Sequence, residues 1–104
     1  MMIVRELDAV EQIAAHLPQG ARMSYYRTAA GTEMDVVVQH GRRTIGLEIK
    51  FSVAPTVSKG YWLAIDDLKV DSAYVVAPVE RRFPLRGGAE VIPVRDIGAV
   101  LAAA

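Results

Sequence analysis

The chain of 104 residues contains no cysteine, so disulfide frameworks, thiolate catalysis and Cys-based zinc sites are excluded. Histidine is scarce, with only His16 and His40, which leaves little basis for a His-rich transition-metal site. Net charge is missing as well: twelve Lys and Arg offset twelve Asp and Glu. A protein that coats nucleic acid by bulk positive charge is thereby excluded, whereas a local basic patch is not. No apolar run approaches the roughly 20 residues of a membrane span. Arg5, Glu6 and Asp8 follow the first residues too closely for the apolar stretch of a signal peptide. The expectation is a cytoplasmic protein with no membrane partner.

What is present is ordinary globular composition, 52% hydrophobic and 23% charged. At this length that predicts one domain over 1–104 with a single core. Val4, Leu7, Val10, Ile13, Ala14 and Leu17 recur at helical spacing, and Pro18 with Gly20 ends the pattern. Arg22 to Thr28, Glu33 to Gln39 and Thr44 to Ser52 read as three strands, the last two forming a hairpin around His40-Gly41. Tyr61, Trp62, Ile65 and Leu68 predict a helix within 57–69, with Trp62 as its core anchor. The apolar run Ala73 to Ala77 reads as a strand buried on both faces. After the Gly87-Gly88 turn, Glu90 to Val94 predicts a short strand and Ile97 to Ala103 a closing helix. The order αβββαββα then implies an α/β fold: a mixed sheet of about five strands with helices on both faces. A crossover through the second helix makes the third and fourth strands parallel.

Chemistry concentrates in the hairpin. A two-residue turn at His40-Gly41 sets Gln39 opposite Arg42, Glu33 opposite Glu48, and Asp35 opposite Gly46, where the missing side chain leaves space. Alternation assigns Met34, Val36, Val38, Ile45, Leu47, Ile49 and Phe51 to one apolar core face. The other face carries Glu33, Asp35, Glu48 and Lys50, three carboxylates against one ammonium. Like charges set opposite one another on adjacent strands destabilise the pair. A hard divalent cation suits such an all-oxygen patch. The same alternation is also common decoration on a solvated strand face, which leaves the patch open to a purely structural reading.

Three segments resemble a known pattern: Tyr25-Tyr26-Arg27-Thr28, Gly31-Thr32-Glu33-Met34-Asp35 and Glu48-Ile49-Lys50-Phe51-Ser52. Together they resemble the C-terminal domain of a family of bacterial and archaeal predicted AAA-type ATPases. That domain is assigned the PD-(D/E)XK, or restriction-endonuclease-like, fold. The resemblance implies a three-layer α/β/α core in which Asp35 takes the motif Asp, with Glu48 and Lys50 as the ends of (D/E)XK. Met34 stands where the pattern has proline. It further implies Mg²⁺ or Mn²⁺ held by Asp35 and Glu48 beside a scissile phosphate, with Lys50 orienting or deprotonating the attacking water. Glu33 would be a further metal ligand at the edge, with Glu6 or Glu11 as another contributor. No G-x-x-x-x-G-K-[ST] motif occurs in this sequence, which then reads as a free-standing relative, a remnant or an excised domain, with an ATPase in trans as a candidate partner.

Arg27, Arg42, Arg43 and Lys59 form a candidate phosphate-binding rim around the hairpin, and Arg81, Arg82 and Arg86 a second basic group. Tyr25 and Tyr26 point to opposite faces of one strand, so one belongs to the core and the other is available for base stacking. Two functions follow as expectations. The first is a metal-dependent nuclease acting on DNA, working as a homodimer because so small a core offers little surface for a duplex. The second is a non-catalytic nuclease-like module that binds nucleic acid or a partner protein such as an ATPase.

Overall fold

The structure, a computed structural model, describes residues 6–103. Val4 and the side chains of Glu6 and Leu7, which the sequence places on the first helix, lie outside the described part. The chain runs α1 (Glu6–Ala15), β1 (Arg22–Arg27), β2 (Glu33–His40), β3 (Arg43–Ile49), α2 (Lys59–Leu68), β4 (Ser72–Val76), β5 (Phe83–Pro84), β6 (Glu90–Ile92) and α3 (Ile97–Ala102). Single 3-10 turns lie at Arg86–Gly88 and Val94–Asp96. One six-stranded sheet results, in the order β1-β2-β3-β4-β6-β5. The expected sheet of about five strands in the order αβββαββα is thus corrected by β5, two residues antiparallel to β6. Two residues are too few to show periodicity, and Pro84 is tolerated because β5 is an edge strand.

As expected, β3 and β4 are parallel, as are β4 and β6, whereas β1, β2 and β3 form an antiparallel meander. Helices cover both faces. On one, Ala9 and Ile13 of α1 and Ile97, Val100 and Leu101 of α3 pack on Val36, Val38, Ile45, Leu47 and Ile49. On the other, Tyr61 and Ala64 of α2 pack on Met34, Val37, Ala73, Val75 and Val91. Burying a large aliphatic side chain contributes about 1.5–3 kcal/mol, so these two apolar layers hold the sheet between its helices.

Two features of β2 depart from simple alternation. His40 pairs with Arg43, so the turn is Gly41-Arg42 and not His40-Gly41. Gly41 has φ 61 at the first central position, where a II′ turn needs glycine. The register therefore slides by two residues, and Gly46 faces Val37 rather than Asp35. Second, Ser24 pairs with Val37 but Tyr26 pairs with Met34, so Asp35 and Val36 together oppose the single residue Tyr25. This is a β-bulge, and it inverts the sidedness of everything before it on the strand.

Met34 accordingly leaves the face of Val36 and Val38 and joins the α2 core. There it lies over Gly46: a Cβ on Gly46 would stand 2.9 Å from the Met34 Cε and 3.2 Å from its Sδ. The space expected beside Gly46 is filled by a thioether. Phe51 also leaves the expected core, because β3 ends at Ile49, and it is exposed.

Candidate functional site

The bulge sits at the open end of the β2–β3 hairpin, and the carboxylates meet there. The ladder between the strands is regular as far as Val36 and Leu47. At the next position side chains replace backbone partners. The Asp35 N–H donates to Glu48 Oε1 at 3.3 Å, and the Ile49 N–H donates to Asp35 Oδ2 at 2.9 Å. Each carboxylate thus clips the opposite strand's backbone. Hydrogen bonds to a charged group contribute about 1.5–3 kcal/mol each, enough to hold β2 and β3 together beyond their last ladder pair, Val36 with Leu47.

Glu48 is nearly closed off from solvent at 4% exposure, between the sheet and α2. It is also level with Val75 of β4. Burial, then the charge and contact of Asp35, push its carboxyl up to about 7 from an ordinary 4.5. Lys50 opposes this shift, with its Nζ 3.9 Å from Glu48 Oε2, while its backbone N–H donates to Val76 O at 2.9 Å. Once Glu48 is ionised, above about pH 7, two carboxylates against one ammonium leave the cluster one negative charge in excess.

Sequence reasoning missed Tyr61 as a neighbour of this site. Its phenol is fully buried and donates to Tyr74 O at 3.3 Å. Burial and the Glu48 charge both raise its pKa, keeping the hydroxyl protonated. Its helical spacing signals only a core residue, since nothing local in the sequence places α2 over β3.

Glu33 is oriented elsewhere. Its carboxylate pairs with Arg27 Nη1 at 2.7 Å on an exposed part of the surface. Among the described residues no group of three or more Asp, Glu or His gathers at metal-ligating spacing, and Glu11 is exposed on α1. The arginines expected as one rim separate into two places. Arg27 ends β1 at the open end of the hairpin. Lys59 opens α2, whose Gly60 approaches the Gly31 carbonyl closely enough that a Cβ would stand 2.9 Å from it. Arg42 and Arg43 lie at the closed end, where Arg43 pairs with His40, seven residues along β2 from the Glu33 that pairs with Arg27 and therefore roughly 23 Å away. There Arg43 donates to Ser72 Oγ at 2.8 Å. Arg82 of the second basic group is held by Glu90 at 2.6 and 3.0 Å.

The two tyrosines divide as expected. Tyr26 packs against the α2 core and donates to Asp67 at 3.2 Å, while Tyr25 is 70% exposed. Tyr25 also walls a cleft of about 340 Å³ lined with Val10, Met23, Ser24, Asp35 and Val36.

A mixed sheet between helices, with a partly buried carboxylate pair and a lysine at a strand bulge, defines a small α/β domain with an acidic site. The chain belongs to the family described as Domain of unknown function (DUF4143), whose model matches residues 6–97. Among curated proteins it is similar to Uncharacterized protein Rv2008c of Mycobacterium tuberculosis and Uncharacterized protein Mb2031c of Mycobacterium bovis. Each is 34% identical over 88 residues, covering 85% of this chain and 20% of the relative. The chain therefore spans about a fifth of the length of these relatives. No solved structure matches it.

Proposed function

We propose that the domain hydrolyses phosphodiester bonds of DNA in a metal-dependent reaction, at a restriction-endonuclease-like site made by Asp35, Glu48 and Lys50. The observation that carries this reading is the meeting of Asp35 and Glu48 across the β2–β3 hairpin, with Lys50 beside them. The donor set fits a hard divalent cation. Each carboxylate commits one oxygen to a backbone N–H. One excess negative charge remains to be neutralised. Mg²⁺ is commonly held by one or two carboxylates plus phosphate and water, so the absence of a third carboxylate is no obstacle. Asp35 and Glu48 would hold the ion, and Mn²⁺ would substitute for it.

Such an ion supplies Lewis acidity at a phosphoryl oxygen and a lowered pKa for bound water. The remaining work belongs to the chain. Lys50 meets the negative charge that develops on the phosphate and orients the attacking water. Asp35 and Glu48 are held in place by the opposite strand, so they need not reorganise during reaction. Glu33 serves as the partner of Arg27 rather than as a ligand.

The clips across the hairpin also favour a second reading, because they give both carboxylates a structural role without any metal. On that reading the domain is a nuclease-like module that binds nucleic acid or a partner such as an ATPase. The two are separated by incubating the protein with supercoiled plasmid, linear duplex and single strands, in Mg²⁺, in Mn²⁺ and in chelator. Hydrolysis predicts metal-dependent cleavage that falls at least about 100-fold in Asp35→Ala and in Lys50→Ala. Sedimentation of the active form tests for the homodimer that cutting both strands requires. Metal-independent binding without any cleavage would select the module.

A further inference from the structure

We propose that the cleft walled by Tyr25 and Asp35 takes an unpaired nucleobase stacked on Tyr25, so that the substrate is single-stranded or locally opened nucleic acid. This rests on the phosphodiester reading above and specifies its substrate class. Three observations converge on Tyr25. Its ring is 70% exposed on a β-strand, whereas its neighbour Tyr26 packs inward. The guanidinium of Arg27 lies over the ring, 5.7 Å from its centroid, and is itself held by Glu33 at 2.7 Å. Finally, the ring walls a cleft that also contains Asp35.

Glu33, Arg27 and Tyr25 therefore form a chain of contacts ending in an aromatic plate. A charge-held guanidinium against an aromatic ring fixes the ring's orientation and favours one arrangement of an otherwise free surface side chain. Glu33 and Arg27 are positioning residues in this account, and Tyr25 is the residue that touches substrate.

The cleft's dimensions and lining select the occupant. A volume of about 340 Å³ lies at the small end of ligand pockets, suited to one nucleotide and not to a duplex. Its walls are mainly Val10, Met23, Val36 and the Tyr25 ring, with Ser24 and Asp35 as the polar groups. An apolar slot with an aromatic wall accepts the flat face of a base, and stacking of this kind tolerates any sequence. A base paired within a duplex cannot present that face. The cleft lies on the α1 side of the sheet and Glu48 on the α2 side, so the two meet at Asp35, and the phosphodiester joined to a stacked base would lie beside that carboxylate.

The test is anisotropy of a labelled single strand of about 12 nucleotides, and of the same strand annealed to its complement, on the full chain. Binding is measured in the Asp35→Asn background with chelator, where cutting is off and one negative charge is removed. The expected result is tighter binding of the single strand than of the duplex. Tyr25→Ala should weaken single-strand binding by roughly 5- to 150-fold, while Tyr25→Phe and Tyr25→Trp retain it. Arg27→Ala should fall between them. Equal binding by Tyr25→Ala, or a preference for duplex, overturns the stacking site while leaving hydrolysis standing if metal-dependent cleavage is observed. Tyr25-dependent binding without cleavage by the unsubstituted protein supports the stacking site and removes hydrolysis. Absence of any nucleic-acid binding defeats both.

Discussion

At the closed end of the β2–β3 hairpin, His40 meets Arg43 across a glycine-led turn, and the ladder runs unbroken to Val36 and Leu47. At the open end β2 carries two residues, Asp35 and Val36, against one of β1. There the strands are joined by carboxylates reaching to backbone N–H groups. The closed end is governed by turn geometry and exposes its arginines to water. The open end is governed by charge in partial burial, where a carboxyl titrates near neutrality. The same two strands thus give an end set by a turn and an end set by partly buried charge, and the bulge of β2 against β1 lies beside the second.

The largest thermodynamic difference between the ends should appear as pH dependence. In the folded chain Glu48 titrates at about 7 against 4.5 for an ordinary glutamate, so between those values the folded state holds the extra proton. Its contribution to stability is fully present below about pH 4.5 and is lost as pH rises through about 7, by about 3 kcal/mol in all. Chemical denaturation of the metal-free protein across that range should show the decline. Glu48→Gln should flatten it and be the more stable protein at about pH 8. A protein whose stability rises over this interval, with or without Glu48, would remove charge burial as the distinguishing feature of the open end.

A smaller effect tests the bulge itself. Because Met34 lies over Gly46 on the α2 face, Gly46→Val should cost about 1–3 kcal/mol by overpacking. Adding Met34→Ala should recover part of that loss, and the double-mutant cycle reports the coupling. Independent costs would mean that Met34 does not occupy the glycine's space in solution. The smallest effect belongs to the closed end, where Arg42→Ala should change stability by no more than about 0.5 kcal/mol. A large loss there would erase the contrast between the two ends.

The sequence announced much of this architecture, for identifiable reasons. Alternating apolar residues in β2 and β3, the helical spacing of Tyr61, Ile65 and Leu68, and the apolar run in β4 are local signals that the fold keeps. Asp35, Glu48 and Lys50 were legible because an error of two residues in register preserves which residues alternate together. The correct partners were not legible, since a turn at His40-Gly41 and one at Gly41-Arg42 fit the same residues until cross-strand pairing decides between them. The bulge depends on how β1 pairs with β2, a tertiary fact with no local mark in the sequence. Glu33 looked like a ligand because spacing records strand position but not the pull of Arg27. The depth of Glu48 depends on α2 crossing over β3, which periodicity along either element cannot express.

The central claim is that the carboxylate pair at the bulge is a cation site. Calorimetric titration of Mn²⁺ into the protein at about pH 8, where Glu48 is ionised, tests it most directly. Binding should weaken sharply as pH falls below about 7 and should be lost in Asp35→Asn and in Glu48→Gln, while Glu33→Gln retains it. A titration showing no binding, or binding that survives both substitutions, would contradict the account.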